Sequence, residues 1–382
     1  MRKLVVLLVI AIIAMLNVCG SVSAKAFLIE YCWGLNCRPA EVAANVDFIE
    51  TLPFDGIQTN DYAGRHLMDP NFTVGNLGSR VPTKGVWTYE QCMKSFSPLT
   101  KNTFKKFTHN FAKVSVRTVG LFEDWSWIIE SCKNYAKACK DLGFKGIIID
   151  NEVDNFWNIQ SDPQYFLGHT LKESHLQARL RGKQVMEAMV SAFPEIDVIV
   201  FHGPYTSASV NYKISRGIYC SDYALLGAFA AGVIEGSGPK STACDGGELY
   251  DFRELKEFQD SYKWRKFGIN DPTLSPPVLF MDDNLRKDWS SKCSISFGLY
   301  SEERPDISKG NWRPITDMNV VRKTTANALK VADKYVWHYT PNYDWFNNPK
   351  NKQTPEVDGY YPPIPQEWIE AVKLARKDAE VK

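Results

Sequence analysis

Short apolar segments typical of strands alternate with helical segments from one end of this sequence to the other. The strand-like segments are Ala26–Tyr31, Gly56–Thr59, Lys113–Arg117, Phe144–Ile149, Asp197–Phe201, Ser241–Cys244, Ser294–Leu299 and Tyr335–Tyr339. A helical segment or a long loop follows each of them. Because neighbouring parallel strands need a crossover connection, usually a helix, this alternation predicts a parallel sheet covered by helices.

Eight such repeats predict an α/β fold of the (β/α)8 TIM-barrel type with long rim loops. An open doubly wound sheet is the alternative, but no G-x-G-x-x-G run follows the first strand, which disfavours a dinucleotide-binding fold. We find no internal repeat, low-complexity segment or linker, so residues 25–382 are predicted to form a single barrel domain.

The first 24 residues have the pattern of a signal peptide. Arg2 and Lys3 precede an unbroken apolar run, Leu4–Leu16, and the small residues before Lys25 suit a signal peptidase. The apolar run is shorter than the ~20 residues that span a bilayer, so no stable membrane insertion is expected after cleavage. A lipid anchor on Cys19 is disfavoured because the residue before it, Val18, is bulky. We therefore expect a secreted or periplasmic protein.

Cysteine usage agrees with export. The chain has nine cysteines, of which Cys19 would leave with the signal, and an even remainder permits four disulfides in an oxidising compartment. Their pairing cannot be read from the sequence. Cys132 and Cys139 lie two turns apart on a predicted helix and therefore cannot pair with each other. No C-x-x-C pair occurs, so a structural zinc site is not predicted.

The charge balance excludes one class of partner. The chain has 45 basic and 44 acidic residues, with no basic tail or stripe, so a nucleic-acid partner is not expected. Its 11 tryptophans and 17 tyrosines suit stacking on sugars, although large cores use aromatic side chains as well.

Barrel enzymes place their active sites at the carboxyl ends of the strands. Residues at or just after these ends are polar or aromatic in almost every repeat. The candidates for substrate binding are Trp33, Asn60, Asp61, Arg117, His202, Tyr205, Tyr300, Trp337 and Tyr339. Such a concentration of polar and aromatic groups predicts a ligand site at this rim.

Carboxylates follow the fourth and the sixth strands. Asp150 directly follows the fourth strand, with Glu152 two residues later, and the sixth strand leads into Asp245-Gly246-Gly247-Glu248. Two carboxylates from separate strand ends suit glycoside hydrolysis, one as nucleophile or base and the other as general acid. We predict Asp150 and Glu248 as this pair, with Asp150 ionised and Glu248 the proton donor. Glu152 and Asp245 are secondary acidic candidates.

The segment Gly143-Phe-Lys-Gly-Ile-Ile-Ile-Asp150-Asn151 resembles glycoside hydrolase family 114, the endo-α-1,4-polygalactosaminidase-like barrels. In that family a Gly-Phe-Asp-Gly run leads through an apolar strand to Asp-Asn. The resemblance covers about a dozen residues and implies that Asp150 is catalytic, while Glu248 is matched only by strand order. The chain departs from the family pattern at Lys145 and at Glu152.

Asn151-Glu152 also resembles the Asn-Glu pair that ends the fourth strand in the large clan of retaining β-glycosidases. That clan requires a nucleophilic glutamate at the end of the seventh strand. Glu302 is the nearest candidate here, although it lies beyond the end of the predicted strand. Glu152 and Glu302 therefore form the second candidate pair.

Two other classes of function stay open. A non-catalytic barrel that binds carbohydrate would show stacking aromatics without a correctly spaced acid pair. A metal-dependent hydrolase would use Asp150, His202 and Asp245 as ligands. The absence of H-x-H and H-E-x-x-H motifs among six histidines counts against metal. We therefore expect a poly- or oligosaccharide substrate with neither cofactor nor metal, and the oligomeric state is left open.

Overall fold

The structure is a computed structural model that describes residues 26–31, 37–68, 85–116, 120–152, 168–205, 225–248, 250–268, 281–303, 313–340 and 364–380. The strands in these residues are β1 Phe27–Tyr31, β2 Gly56–Thr59, β3 Phe111–Ser115, β4 Gly146–Asp150, β5 Asp197–Val200, β6 Thr242–Asp245, β7 Cys293–Ile295, β8 Phe297–Tyr300, β9 Glu302–Glu303, β10 Arg313–Pro314 and β11 Tyr335–Tyr339.

Helices follow most of these strands. They are α1 Pro39–Ala44, α2 Val46–Ile49, α3 Tyr62–His66, α4 Tyr89–Ser95, α5 Ser126–Asp141, α6 Leu171–Ala192, α7 Leu226–Glu235, α8 Leu255–Lys263, α9 Asp283–Lys292, α10 Met318–Val331 and α11 Gln366–Glu380. A π-helical turn, Trp264–Gly268, continues α8. Within the described residues, no helix is both long enough and apolar enough to cross a membrane.

All strand pairs of the main sheet are parallel, in the order β7-β6-β5-β4-β3-β2-β1-β11-β8. Strands β7 and β8 are consecutive parts of one segment, Cys293–Tyr300, separated at Ser296. Its first part pairs with β6 and its second part with β11, so this segment joins the two ends of the sheet. The predicted (β/α)8 barrel is confirmed.

Alternate side chains of the strands fill the inside of the barrel. The buried inner residues are Ile29, Tyr31, Phe111, Ile148, Ile199, Phe201, Cys244, Tyr335 and Trp337. Their neighbours along each strand face the helices, as Ile147 and Ile149 of β4 do. Both faces of β4 are therefore buried, which explains its continuous apolar sequence.

The third strand begins earlier than its sequence suggests. The prediction was Lys113–Arg117, but the strand is Phe111–Ser115, paired with β4 from Phe111 opposite Gly146 to Ser115 opposite Asp150. Phe111 belongs to the interior cluster, so Lys113, two residues later, points inward as well. A lysine thus lies within the barrel wall, just below the carboxyl end of β4.

The even cysteine count permits four disulfides, but five of the cysteines do not form one. Cys92, Cys132, Cys139, Cys244 and Cys293 have free thiols and are buried. Burial raises the pKa of each, which keeps the thiols protonated and unreactive in the folded chain. Among the described cysteines, Cys37 is disulfide-bonded. These five cysteines fill the core as small apolar side chains rather than cross-linking it.

Candidate active site

Three predicted site residues meet at one end of the barrel because they follow neighbouring parallel strands. Asp150 ends β4, His202 follows β5 and Glu248 follows β6. The side chain of Asn151, which is buried, ties two of these ends together. Its Nδ2 donates to the carbonyl of His202 at 2.9 Å, and the amide of His202 donates to its Oδ1 at 3.0 Å. The loop after β5 is thereby held against the end of β4.

Lys113 is a site residue that sequence reasoning missed. Its Nζ lies 2.8 Å from Oδ2 of Asp150, and its side chain is only 3% exposed. The same ammonium lies 5.3 Å from the centroid of the Tyr31 ring, which adds a cation–π contact. A lysine in the middle of an apolar strand was the available signal. Asp150 is therefore an ion-paired carboxylate at the mouth of the barrel, which is the opening formed by the carboxyl ends of the strands.

Glu152, His202 and Glu248 form a second charged cluster. Nε2 of His202 lies 3.0 Å from Oε2 of Glu248 and 3.7 Å from Oε2 of Glu152. Burial opposes protonation of the imidazole, but the two carboxylates outweigh it and raise the pKa of His202 to about 10. The other oxygen of Glu248, Oε1, accepts a hydrogen bond from the Tyr250 hydroxyl at 2.6 Å. This cluster holds a proton at neutral pH.

Tyr31, at the end of β1, is affected by the charges of both groups. Burial raises the pKa of the Tyr31 hydroxyl well above its usual range, and the charges of Asp150, Glu248 and Glu152 raise it further. All three carboxylates therefore lie within electrostatic reach of one phenol at the end of β1.

Tyrosines line one side of the mouth. The rings of Tyr300 and Tyr339 are stacked at 5.2 Å between centroids, and Tyr250 lies 4.9 Å from Tyr300. Tyr300 and Tyr339 end β8 and β11, where the sequence predicted substrate contacts, whereas Tyr250 was not predicted. Their faces and hydroxyls can supply both stacking and hydrogen bonds to a polar ligand.

Trp337 does not belong to this surface, which corrects the prediction that it stacks on substrate. Its side chain is fully buried inside the barrel, stacked on Phe201 at 4.4 Å, and its Nε1–H donates to the carbonyl of Gly246 at 2.9 Å. Gly298 makes room for it, because a Cβ there would lie 2.4 Å from the indole ring. Trp337 is thus part of the core.

Asp245 also has a different place from the one expected. It lies on the outer face of β6, fully buried, with Oδ1 2.6 Å from NH2 and Oδ2 3.1 Å from Nε of Arg265. The same guanidinium lies 5.3 Å from the ring centroid of Tyr205, another predicted substrate contact. Asp245 therefore anchors the π-helical turn to the barrel and cannot reach the mouth.

The carboxylate of Asp61 serves the local structure of α3. It caps the helix by accepting from the amide of Gly64 at 3.1 Å, and the hydroxyls of Ser95 and Tyr135 also donate to it. Burial raises the pKa of Asp61, against the effect of these hydrogen bonds. Asn60 directly precedes Asp61, and the backbone N–H of Asn60 donates to the carbonyl of Cys37 at 2.7 Å. We therefore correct the prediction that Asp61 binds substrate.

Glu302 lies in the short antiparallel ribbon of β9 and β10, opposite Pro314. Its side chain is buried, and burial raises the pKa of its carboxyl, although a hydrogen bond with Tyr300 acts in the opposite direction. Trp33 and Arg117, the remaining predicted contacts, lie outside the described residues.

One group of side chains at the mouth could hold a metal ion. Ligand atoms of Glu152, His202 and Glu248 all lie within 4.8 Å of one another. The set considered from the sequence, Asp150 with His202 and Asp245, is not brought together, since Asp245 faces outward and is bound by Arg265.

No protein-family model matches the sequence, and no curated protein matches it either. Solved structures do resemble the fold. A GH5-4 broad specificity endoglucanase from an uncultured bacterium aligns with a TM-score of 0.47 at 12% identity, over 93% of this chain and 94% of its own. An endocellulase from Pyrococcus horikoshii gives 0.43 at 12% identity, over 92% and 93%. A psychrophilic family 10 endo-β-1,4-xylanase gives 0.41 at 12% identity, over 91% and 96%.

Proposed function

We propose that this protein hydrolyses glycosidic bonds in a poly- or oligosaccharide, with Asp150 and Glu248 as its catalytic carboxylates. The observation that carries the proposal is their placement. Each follows a different strand of one parallel barrel, each lies beside a cationic side chain, and tyrosines line the same mouth. The resemblance of residues 143–151 to glycoside hydrolase family 114 supports the choice of Asp150.

The two carboxylates would have different tasks. Asp150, ion-paired with Lys113 at 2.8 Å, supplies the negative charge that stabilises an oxocarbenium-like transition state. Glu248 gives a proton to the leaving oxygen. The water that completes the hydrolysis returns a proton to the pair of Glu248 and His202, whose Oε2 and Nε2 lie 3.0 Å apart.

The tyrosines and Glu152 would hold the sugar. Tyr300 and Tyr339 present stacked rings beside the acid pair, and aromatic faces of this kind suit the apolar faces of sugar rings. Glu152, which is more exposed than Glu248, can accept hydrogen bonds from hydroxyl groups.

Export of the chain, with residues 1–24 as its signal peptide, is part of this proposal. An exported protein that begins at Lys25 would support it.

Turnover on a panel of oligosaccharides tests the assignment. We expect the wild type to cleave at least one glycan, and Asp150→Asn and Glu248→Gln to lower kcat by about 10²-fold or more. Asp260→Asn is the matched control, because it makes the same chemical change on the exposed face of α8. If both site variants keep near-full rates on a glycan that the wild type cleaves, the pair is wrong. A wild type that binds glycans and cleaves none would point to the non-catalytic barrel.

A further inference from the structure

We propose that Glu152, His202 and Glu248 form a binding site for a divalent transition-metal ion such as Zn²⁺, and that the bound ion inhibits glycan cleavage. The binding step stands on geometry alone. The inhibition rests on the proposed function, because Glu248 cannot both bind the metal and give a proton to a leaving group.

The spacing of the ligand atoms fits a tetrahedral ion. Zinc lies ~2.0–2.2 Å from nitrogen and oxygen ligands, so two ligands of one tetrahedral ion are ~3.3–3.6 Å apart. Nε2 of His202 lies 3.0 Å from Oε2 of Glu248 and 3.7 Å from Oε2 of Glu152, on either side of that value. Each of the three residues offers one ligand atom that lies within 4.8 Å of those of the other two. Small side-chain rotations would therefore complete three sides of the coordination shell.

Hydrogen bonds from neighbouring residues also orient the ligands, as is usual for metal ligands. The hydroxyl of Tyr250 donates a hydrogen bond to Oε1 of Glu248. The other oxygen, Oε2, faces His202. The reciprocal hydrogen bonds of Asn151 hold the backbone of His202, and Asn151 directly precedes Glu152. The three ligands thus follow three neighbouring strands, and Asn151 ties the ends of two of them together, which lowers the entropic cost of assembling the site.

The ligand types select the class of metal. One imidazole nitrogen with two carboxylate oxygens suits Zn²⁺ or its first-row neighbours, whereas Ca²⁺ and Mg²⁺ prefer shells made of oxygen. Glu152 is the most exposed of the three, so the cluster is open toward the mouth, where water or a substrate oxygen can complete the shell.

Isothermal titration of the full chain with zinc chloride, after dialysis against a chelator, tests the binding. We expect one tight site per chain, with binding weakened more than ~100-fold in His202→Ala and about 10-fold in Tyr250→Phe, which removes only the supporting hydrogen bond. His169→Ala is the matched control, because His169 is exposed and lies outside the cluster, stacked on Phe122. Wild-type binding that His202→Ala leaves unchanged would overturn the site.

Turnover measured with and without zinc tests the inhibition. Zinc should lower the rate of the wild type and a chelator should restore it. A rate that rises with zinc would overturn the inhibitory role. If zinc binds as expected but no glycan is cleaved, the metal site stands and the proposed function fails. If a glycan is cleaved and no zinc binds, the proposed function stands and the metal site fails.

Discussion

Lys113 is the residue whose position decides how Asp150 can act. It reaches the mouth from inside the barrel, where its ammonium is shielded from water and lies against the carboxylate at 2.8 Å. A buried ion pair contributes little net stability, but loss of one partner leaves an uncompensated charge. The pair therefore sets the charge and the orientation of Asp150 more than it stabilises the fold.

Removal of the lysine charge should affect turnover and stability together. We expect Lys113→Met to lower kcat by at least about 10-fold and the free energy of unfolding by up to ~3–5 kcal/mol. Lys113→Arg should recover part of the rate because it keeps the charge. The double variant Lys113→Met with Asp150→Asn should regain stability, measured by urea unfolding, without regaining turnover. A single variant with an unchanged rate would show that Lys113 only fills space.

At the scale of elements, the buried pair of Asp245 and Arg265 joins β6 to the π-helical turn after α8. NH2 of Arg265 also donates to the carbonyl of Asp245 at 2.8 Å, and NH1 donates to the carbonyl of Ser296 at 3.0 Å. One guanidinium thereby connects β6 with the segment that closes the barrel. This explains why an aspartate that precedes a Gly-Gly turn is a structural residue here.

Arg265→Met should therefore destabilise the chain without a specific effect on catalysis. We expect a loss of ~3–5 kcal/mol in the free energy of unfolding, because Asp245 would stay buried without its partner. Asp245→Asn combined with Arg265→Met should recover much of that loss. Lys256→Met is the matched control, since its pair with Asp260 is exposed and should matter little. If Arg265→Met is as stable as the wild type but has a reduced kcat, Asp245 acts in catalysis and this interpretation is wrong.

For the whole molecule, the order of strands could be predicted from the sequence, and with it the meeting of Asp150, His202 and Glu248 at one end. The sequence does not predict whether a given strand residue points into the barrel or out toward the helices. In β4 both faces are apolar, so no alternation marks the inward side. Trp337 and Asp245 were misplaced for the same reason. The sequence does not single out Lys113, because its apolar pattern places the start of β3 two residues late.

The stability of the whole barrel should depend on pH through His338 on the outer face of β11. Its Nε2 lies 2.9 Å from the hydroxyl of Thr325 on α10, and its ring packs against Trp368 of α11. Burial lowers the pKa of His338 to about 3. The folded chain therefore keeps this imidazole neutral at pH values where the unfolded chain, with a pKa near ~6.5, protonates it.

Between pH ~6.5 and ~3 the unfolded state thus binds more protons at this position than the folded state. The free energy of unfolding should fall by up to ~1.4 kcal/mol for each pH unit below ~6.5, and His338 should contribute no pH dependence above that value. Urea unfolding of the wild type and of His338→Phe at pH 7.5, 6.5, 5.5 and 4.5 gives the difference in their free energies of unfolding at each pH. The carboxylates are the same in both proteins, so their contribution cancels in this difference, and its change with pH measures the contribution of His338. The variant should lose stability at pH 7.5, because the contact with Thr325 is gone, and the gap should narrow as the pH falls. His169→Phe, at an exposed position, should show no such change. A gap between wild type and His338→Phe that stays constant down to pH 4.5 would mean that His338 is not held neutral by the packing of α10 and α11 on the barrel.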